Sequence, residues 1–296
     1  MLRGAPLVLP LLLLASGCGR SEAREAVPGA PLVVASIFPL GDLAARIGGG
    51  AVRVEVLLPP RASASTFEPT ARQMARLSGA TAYVFVGGGM DRWAEALVQE
   101  GSEVERLTEG MTLRGGHEGE GETGDPHVWL DPVLVRDYLL PRIETAVLRA
   151  APDSAAAIRQ RTAALADSLT ALDGEIRRAL AGLPSRSFVS THSAWGYFAE
   201  RYDLREVGSI YESPGREPSS RRIAQLVEAA RAAAVQAVFV EPQLGEAGTR
   251  AVAAELGLEV HLLDPYGGTS EDGRDRYLSL MRFNTRQMVQ ALGGAS

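Results

Sequence analysis

The segment that most constrains the fold sits at the middle of the chain: "PDSAAAIRQRTAALADSLTALDGEIRRALAGLP", Pro152 to Pro184. Ile158, Leu165, Leu169, Leu172, Ile176 and Leu180 recur in it at steps of three, four or seven, the spacing of one helix face. Asp153 is placed to cap the helix. At 1.5 Å per residue such a helix is about 40 Å long. That exceeds a short crossover and suits a rigid strut between two lobes. A coiled-coil dimer segment is the alternative, but the stripe is short for one.

On each side of the strut, strand-like and helix-like runs alternate. Before it come the strands "LVVASIFP", "VRVEVLLP" and "TAYVFVG", with helices at "LGDLAARIGG", from Thr70, near Asp91 to Gln99, and from Asp131-Pro132 to about Leu148. Thr70-Ala71-Arg72-Gln73 is a capping box. After the strut come the strands "SFVSTH", "REVGSI", "QAVFVEP" and "LEVHLLDP". Between these lie the helices "SAWGYFAERY", "SSRRIAQLVEAARAA" and "GTRAVAAEL", and a last helix runs from about Asp275 to Leu292. This alternation predicts an α/β fold of two lobes, each with a mainly parallel sheet flanked by helices, joined by one long rigid helix. Ligand sites are expected beyond the carboxyl ends of the strands.

The chain has 296 residues, 46% hydrophobic and 22% charged, an ordinary composition for a folded protein of one or two domains. Its net charge of -6 and the lack of a basic cluster argue against a nucleic-acid partner. Cys18 is the only cysteine, so no internal disulfide can form. It follows Arg3, the apolar run Leu7 to Ala15, and the small residues Ala15, Ser16 and Gly17. This is signal-peptide anatomy, and the run is too short to span a bilayer. Small residues directly before the cysteine resemble a bacterial lipobox, with Ala15 where leucine is usual. Lipid on Cys18 would tether the protein to a membrane surface. The expected organisation is a lipoprotein signal over 1–18, a tether over 19–31, an N-terminal lobe over 32–150, a linker helix over 151–184 and a C-terminal lobe over 185–296.

Four histidines can be weighed singly. His261 alternates along a strand and reads as structural or surface. His117 lies in "RGGHEGEGETGD", a Gly- and Glu-rich stretch with the composition of a mobile loop. His127, in "GDPHVWLDP", follows an X-Pro turn and precedes a helix. His192, in "THSAWGYF", ends a strand, as does Asp264 in "LLDP". Ser65 and Glu68 occupy the loop after the second strand. Imidazoles and a carboxylate brought to one rim make a transition-metal site plausible; helix capping by each histidine taken alone is an equal alternative.

"DPHVWLDP", "THSAWGYF", "PGREPS", "FVEPQ" and "LLDPYGG" together resemble the zinc/manganese group of metal-specific solute-binding lipoproteins of bacterial ABC importers, the TroA-like superfamily. The likeness runs from about Leu32 to Leu292 and includes the long central helix. It implies a metal between the lobes, with His127, His192 and Asp264 as three of four ligands. Histidine at position 192, where manganese and iron members carry glutamate, implies Zn2+ as the transported substrate ahead of Mn2+. The first ligand of the family is a histidine in a "PHTFEPT"-like loop. Here the loop reads "ASTFEPT", with Ser65 in its place. Water, Glu68 or His117 could complete the site. Glu241, in "FVEPQ", is a further candidate, as ligand or as support. The implied protein is an extracytoplasmic, lipid-anchored monomer that binds a metal and delivers it to an ABC permease and its ATPase. No P-loop is present, so ATP hydrolysis would belong to a partner. The alternatives are a manganese- or iron-binding or adhesin-like lipoprotein of the same fold, or a zinc hydrolase, since three protein ligands plus water can be catalytic.

Overall fold

A computed structural model describes residues 27–77, 79–115, 124–211 and 217–293. The signal segment, Cys18 and His117 lie outside the described residues. Two four-stranded parallel sheets form. The first has the order β2-β1-β3-β4, with β1 Leu32–Ala35, β2 Arg53–Val56, β3 Ala82–Phe85 and β4 Glu103–Arg106. The second repeats the pattern as β6-β5-β7-β8, with β5 Ser187–Ser190, β6 Arg205–Ser209, β7 Ala237–Val240 and β8 Val260–Leu262. The central strands β1, β3 and β7 are buried at every position, as parallel strands covered on both faces must be.

Helices α1 Phe38–Gly48, α2 Ala71–Leu77, α3 Arg92–Glu95, α4 Pro132–Leu134 and α5 Leu140–Ala150 belong to the first half. The capping box forms as expected: Gln73 N–H donates to Thr70 Oγ1 at 3.3 Å, and Thr70 N–H donates to Gln73 Oε1 at 2.9 Å. Asp131 caps α4, accepting from Val133 N–H at 2.7 Å. α4 and α5 are one helix interrupted by a π-turn over Val135–Leu139. Pro141 explains the interruption, since it has no N–H for the carbonyl four residues back and its ring crowds that carbonyl.

Three expectations differ from the structure. β4 was not foreseen, because a half-exposed edge strand reading "EVER" carries charge instead of an apolar run. α3 is a single turn, shorter than Asp91 to Gln99. The buried Asp91 carboxylate is spent on the amides of Val86 and Gly87, at 2.6 and 3.1 Å, and caps no helix. Asp153 does not cap the strut either: Pro152–Ser154 forms a 3-10 turn, and Ser154 opens α6 without a side-chain bond.

α6 spans Ala155–Leu180, 26 residues. Its buried residues are the six of the expected stripe, each at most 4% exposed. They are covered within one chain, so no second copy is needed to bury them. α7 Gly196–Arg201, α8 Ser220–Ala232, α9 Ala247–Leu256 and α10 Tyr277–Leu292 complete the second half. α10 returns to the strut and to the first half: Tyr277 N–H donates to Asp42 Oδ2 at 2.8 Å, and Arg282 pairs with Glu175 of α6 at 2.7 Å. One apolar cluster runs from Val33 and Trp129 through the α6 stripe to Phe188, Trp195 and Met281, so both halves share a core. Among the described residues no helix is long and apolar enough to cross a membrane.

Candidate metal site

In each sheet the strand order reverses between the first and third strands of the half, the place where open α/β sheets present ligand sites. In the second half this puts the segment after β5 beside the segment after β7. His192 lies two residues beyond β5 and Glu241 directly follows β7. His192 Nδ1 stands 2.6 Å from Glu241 Oε2, and both residues are buried. Trp195 Nε1 donates to the other oxygen of Glu241 at 3.2 Å. A carboxylate only accepts, so a proton on His192 Nδ1 would face Glu241.

His127 comes from the first half, directly before a 3-10 turn over Val128–Leu130. Asp125 holds it twice: its Oδ1 accepts from His127 N–H at 2.9 Å and from His127 Nδ1 at 2.8 Å. Gly196 leaves room for this contact. A Cβ at that position would lie 2.9 Å from Asp125 Oδ2 and 3.2 Å from the guanidinium carbon of Arg114. Tyr197 ties the segment across the halves, donating from its hydroxyl to the Asp125 carbonyl at 3.0 Å.

The two histidines meet edge to edge. His192 Nε2 lies 3.4 Å from His127 Nε2, with ring centroids 5.2 Å apart. With both protons on Nδ1, the side that faces a carboxylate, the two Nε2 lone pairs would point at each other. Two acceptors at that distance repel unless a cation lies between them, a proton or a metal ion. Nitrogens bound to tetrahedral zinc at about 2.0–2.1 Å stand about 3.3–3.4 Å apart. Carboxylates on the far nitrogens are the usual outer support of metal-bound imidazoles.

Of the other expected residues, Asp264 lies in a neighbouring loop, buried, two residues past β8. That loop touches His127 through Trp129. The indole of Trp129 lies 5.1 Å from the His127 ring, and its Nε1 donates to the Pro265 carbonyl at 2.8 Å. Asp264 Oδ1 accepts from Gln243 Nε2 and from the amides of Tyr266 and Gly267, while Oδ2 pairs with Arg274 at 2.8 Å. Ser65 is exposed and its hydroxyl meets Ser63 Oγ at 2.8 Å; Glu68 is also exposed. His261 rests 6.2 Å from the Phe239 ring, in a structural position. Among the described residues, no group of three histidine, cysteine, aspartate or glutamate side chains is gathered to hold an ion. The structure thus joins His127, His192 and Glu241, and leaves Asp264 nearby and engaged elsewhere. Asp125 was not foreseen, although its place two residues before His127 is the signal that could have found it. Glu206 was missed too. Its buried carboxyl meets the Ser190 hydroxyl behind His192, and burial pushes its pKa up to about 8.

A sequence profile of the family described as ZnuA, the periplasmic component A of the zinc-uptake complex, matches residues 33–291. The chain is 27% identical over 301 residues to the zinc-binding lipoprotein AdcA of Streptococcus pneumoniae, covering 94% of this chain and 60% of that protein. It is 26% identical over 310 residues to the high-affinity zinc uptake system protein ZnuA of Bacillus subtilis, covering 98% and 97%. A crystal structure of ZnuA superposes with a TM-score of 0.79 at 31% identity, covering 89% of this chain and 99% of that one.

Proposed function

The chain belongs to the ZnuA family of periplasmic zinc-uptake components, and on that premise we propose that it captures zinc outside the cytoplasmic membrane and delivers it to the permease of an ABC importer. One observation carries the reading: two imidazole Nε2 atoms face each other at 3.4 Å, each ring held from behind by a buried carboxylate. Neutral imidazole suits zinc, and a buried cation between two such rings would be partnered by the charges of Asp125 and Glu241.

In this reading His127 and His192 are ligands through Nε2, and Asp125 and Glu241 fix their tautomers. Asp264 is the third ligand, and an open position at Ser65 is filled by water. The protein binds and does not catalyse; the permease and its ATPase supply the transport step. Lipid on Cys18 anchors it to the membrane. The same chain with Cys18→Ala should appear in the soluble fraction of cells, and a variant still sedimenting with membranes would remove the anchor from the account.

Metal analysis of protein purified without added metal tests the reading. One zinc per chain is expected, falling to a trace in His127→Ala and in His192→Ala while both keep the native circular dichroism spectrum. Full zinc occupancy in either variant would take that histidine out of the site.

A further inference from the structure

Arg274 is used by nothing in the reading above, yet its side chain is only 3% exposed and sits on a proposed ligand. It follows a 3-10 turn over Glu271–Gly273. Its NH1 pairs with Asp264 Oδ2 at 2.8 Å, and its NH2 with Glu271 Oε2 at 3.2 Å. The two carboxylates differ: Asp264 is buried and Glu271 is 57% exposed. The guanidinium also lies 5.0 Å from the Phe283 ring centroid.

Asp264 can move little. Its N–H donates to Asn284 Oδ1 and its carbonyl accepts from Asn284 Nδ2. Oδ1 already accepts three hydrogen bonds, from Gln243, Tyr266 and Gly267. The oxygen left for a metal is Oδ2, and that is the one Arg274 holds. A second cation arriving there meets a positive charge within a few ångströms, in a buried setting where charges are weakly screened.

We propose that Arg274 is an internal cation that competes with the transported metal for Asp264, setting the affinity of the site and promoting release. The proposal rests on zinc binding at the histidine pair. When metal takes Oδ2, the guanidinium turns wholly to Glu271 and Asp272, which it already pairs with. When metal leaves, the guanidinium returns to Asp264 and neutralises it, so the emptied site keeps no bare carboxylate to recapture the ion. Glu271 also pairs with Arg61 at 2.5 Å. Arg61 lies in the loop that carries Ser65, so the exchange is wired to the opposite half.

Zinc affinity of the full chain, read by competition with a chromophoric chelator, tests this through substitution. Arg274→Gln should bind zinc about tenfold or more tightly than the wild type, because the competing charge is gone. Arg274→Lys, which keeps the charge, should stay near the wild-type value. Asp272 Oδ2 also lies 4.0 Å from Arg274 NH2, so Glu271→Gln is combined with Asp272→Asn; both residues are exposed, and without these alternative partners Arg274 should hold Asp264 harder and zinc should bind several-fold more weakly. Damage to the fold would weaken binding in every variant, so a gain in Arg274→Gln is not a structural side effect. Unchanged or weaker binding in Arg274→Gln would overturn the proposal. If that variant does not fold, wild-type affinity in the Glu271→Gln, Asp272→Asn double variant would overturn it instead. His127→Ala is measured alongside. Wild-type affinity in that variant would strike down the site itself, and the competition with it.

Discussion

At the scale of single residues, the site depends on which nitrogen of each ring carries the proton. Asp125 and Glu241 set that choice, and neither would touch the metal. Asp125→Asn removes the charge that faces His127 Nδ1 while keeping its shape. Zinc affinity should fall by about 10- to 100-fold, the usual loss when such an outer partner is removed. Titration against a chelator measures it, and an affinity within twofold of wild type would show that Asp125 only shapes the loop. Ser65→His is the converse experiment. The exit of its loop is held by the Thr70–Gln73 capping box, so a histidine there should reach the open position and tighten zinc binding by about tenfold. Weaker or equal binding would mean that the loop stands away from the metal. His127, His192 and Asp264 could be singled out because histidine is rare in this chain, with four in all, and all three residues sit at strand or turn ends. Arg274 was not, because one arginine among thirty basic residues carries no local mark, and Asp125 was passed over although it stands two residues before His127.

At the scale of elements, legibility follows burial. The α6 stripe could be read because its face is buried along its whole length. β4 and the short length of α3 could not, because their residues answer to neighbours: an exposed sheet edge for β4, and backbone amides at the end of β3 for Asp91. The pair β5 and β6 carries a titration. The Ser190 hydroxyl meets both the His192 carbonyl oxygen, at 2.8 Å, and the Glu206 carboxyl. One hydroxyl proton cannot serve both, and a protonated Glu206 supplies the second. Burial drives this, pushing the Glu206 pKa up to about 8. An acid held protonated in the folded state but ionised in the unfolded one lowers stability as pH rises from its ordinary range, near 4.5, through about 8. Glu206→Gln should therefore match the wild type near pH 4.5 and gain on it with rising pH, by on the order of a few kcal/mol at about pH 9. Thermal melts across that range check it; a constant difference in Tm would show that Glu206 ionises freely.

At the scale of the molecule, two lobes with the same strand order share one core through α6 and α10. The alternation of strands and helices made that architecture readable before any contact was known. What it left open was the closeness of the halves at the site, where Asp125 and His127 from one side meet His192, Tyr197 and Glu241 from the other. This shared core and the return of α10 to Asp42 favour a stiff frame whose site changes by local exchange of partners. Anomalous diffraction at the zinc absorption edge, from crystals of the zinc-loaded protein, decides whether that frame seats its cargo as described. One peak is expected between His127 Nε2 and His192 Nε2, about 2.0–2.1 Å from each. A peak bonded to only one of these imidazoles, or lying away from both, would contradict the account.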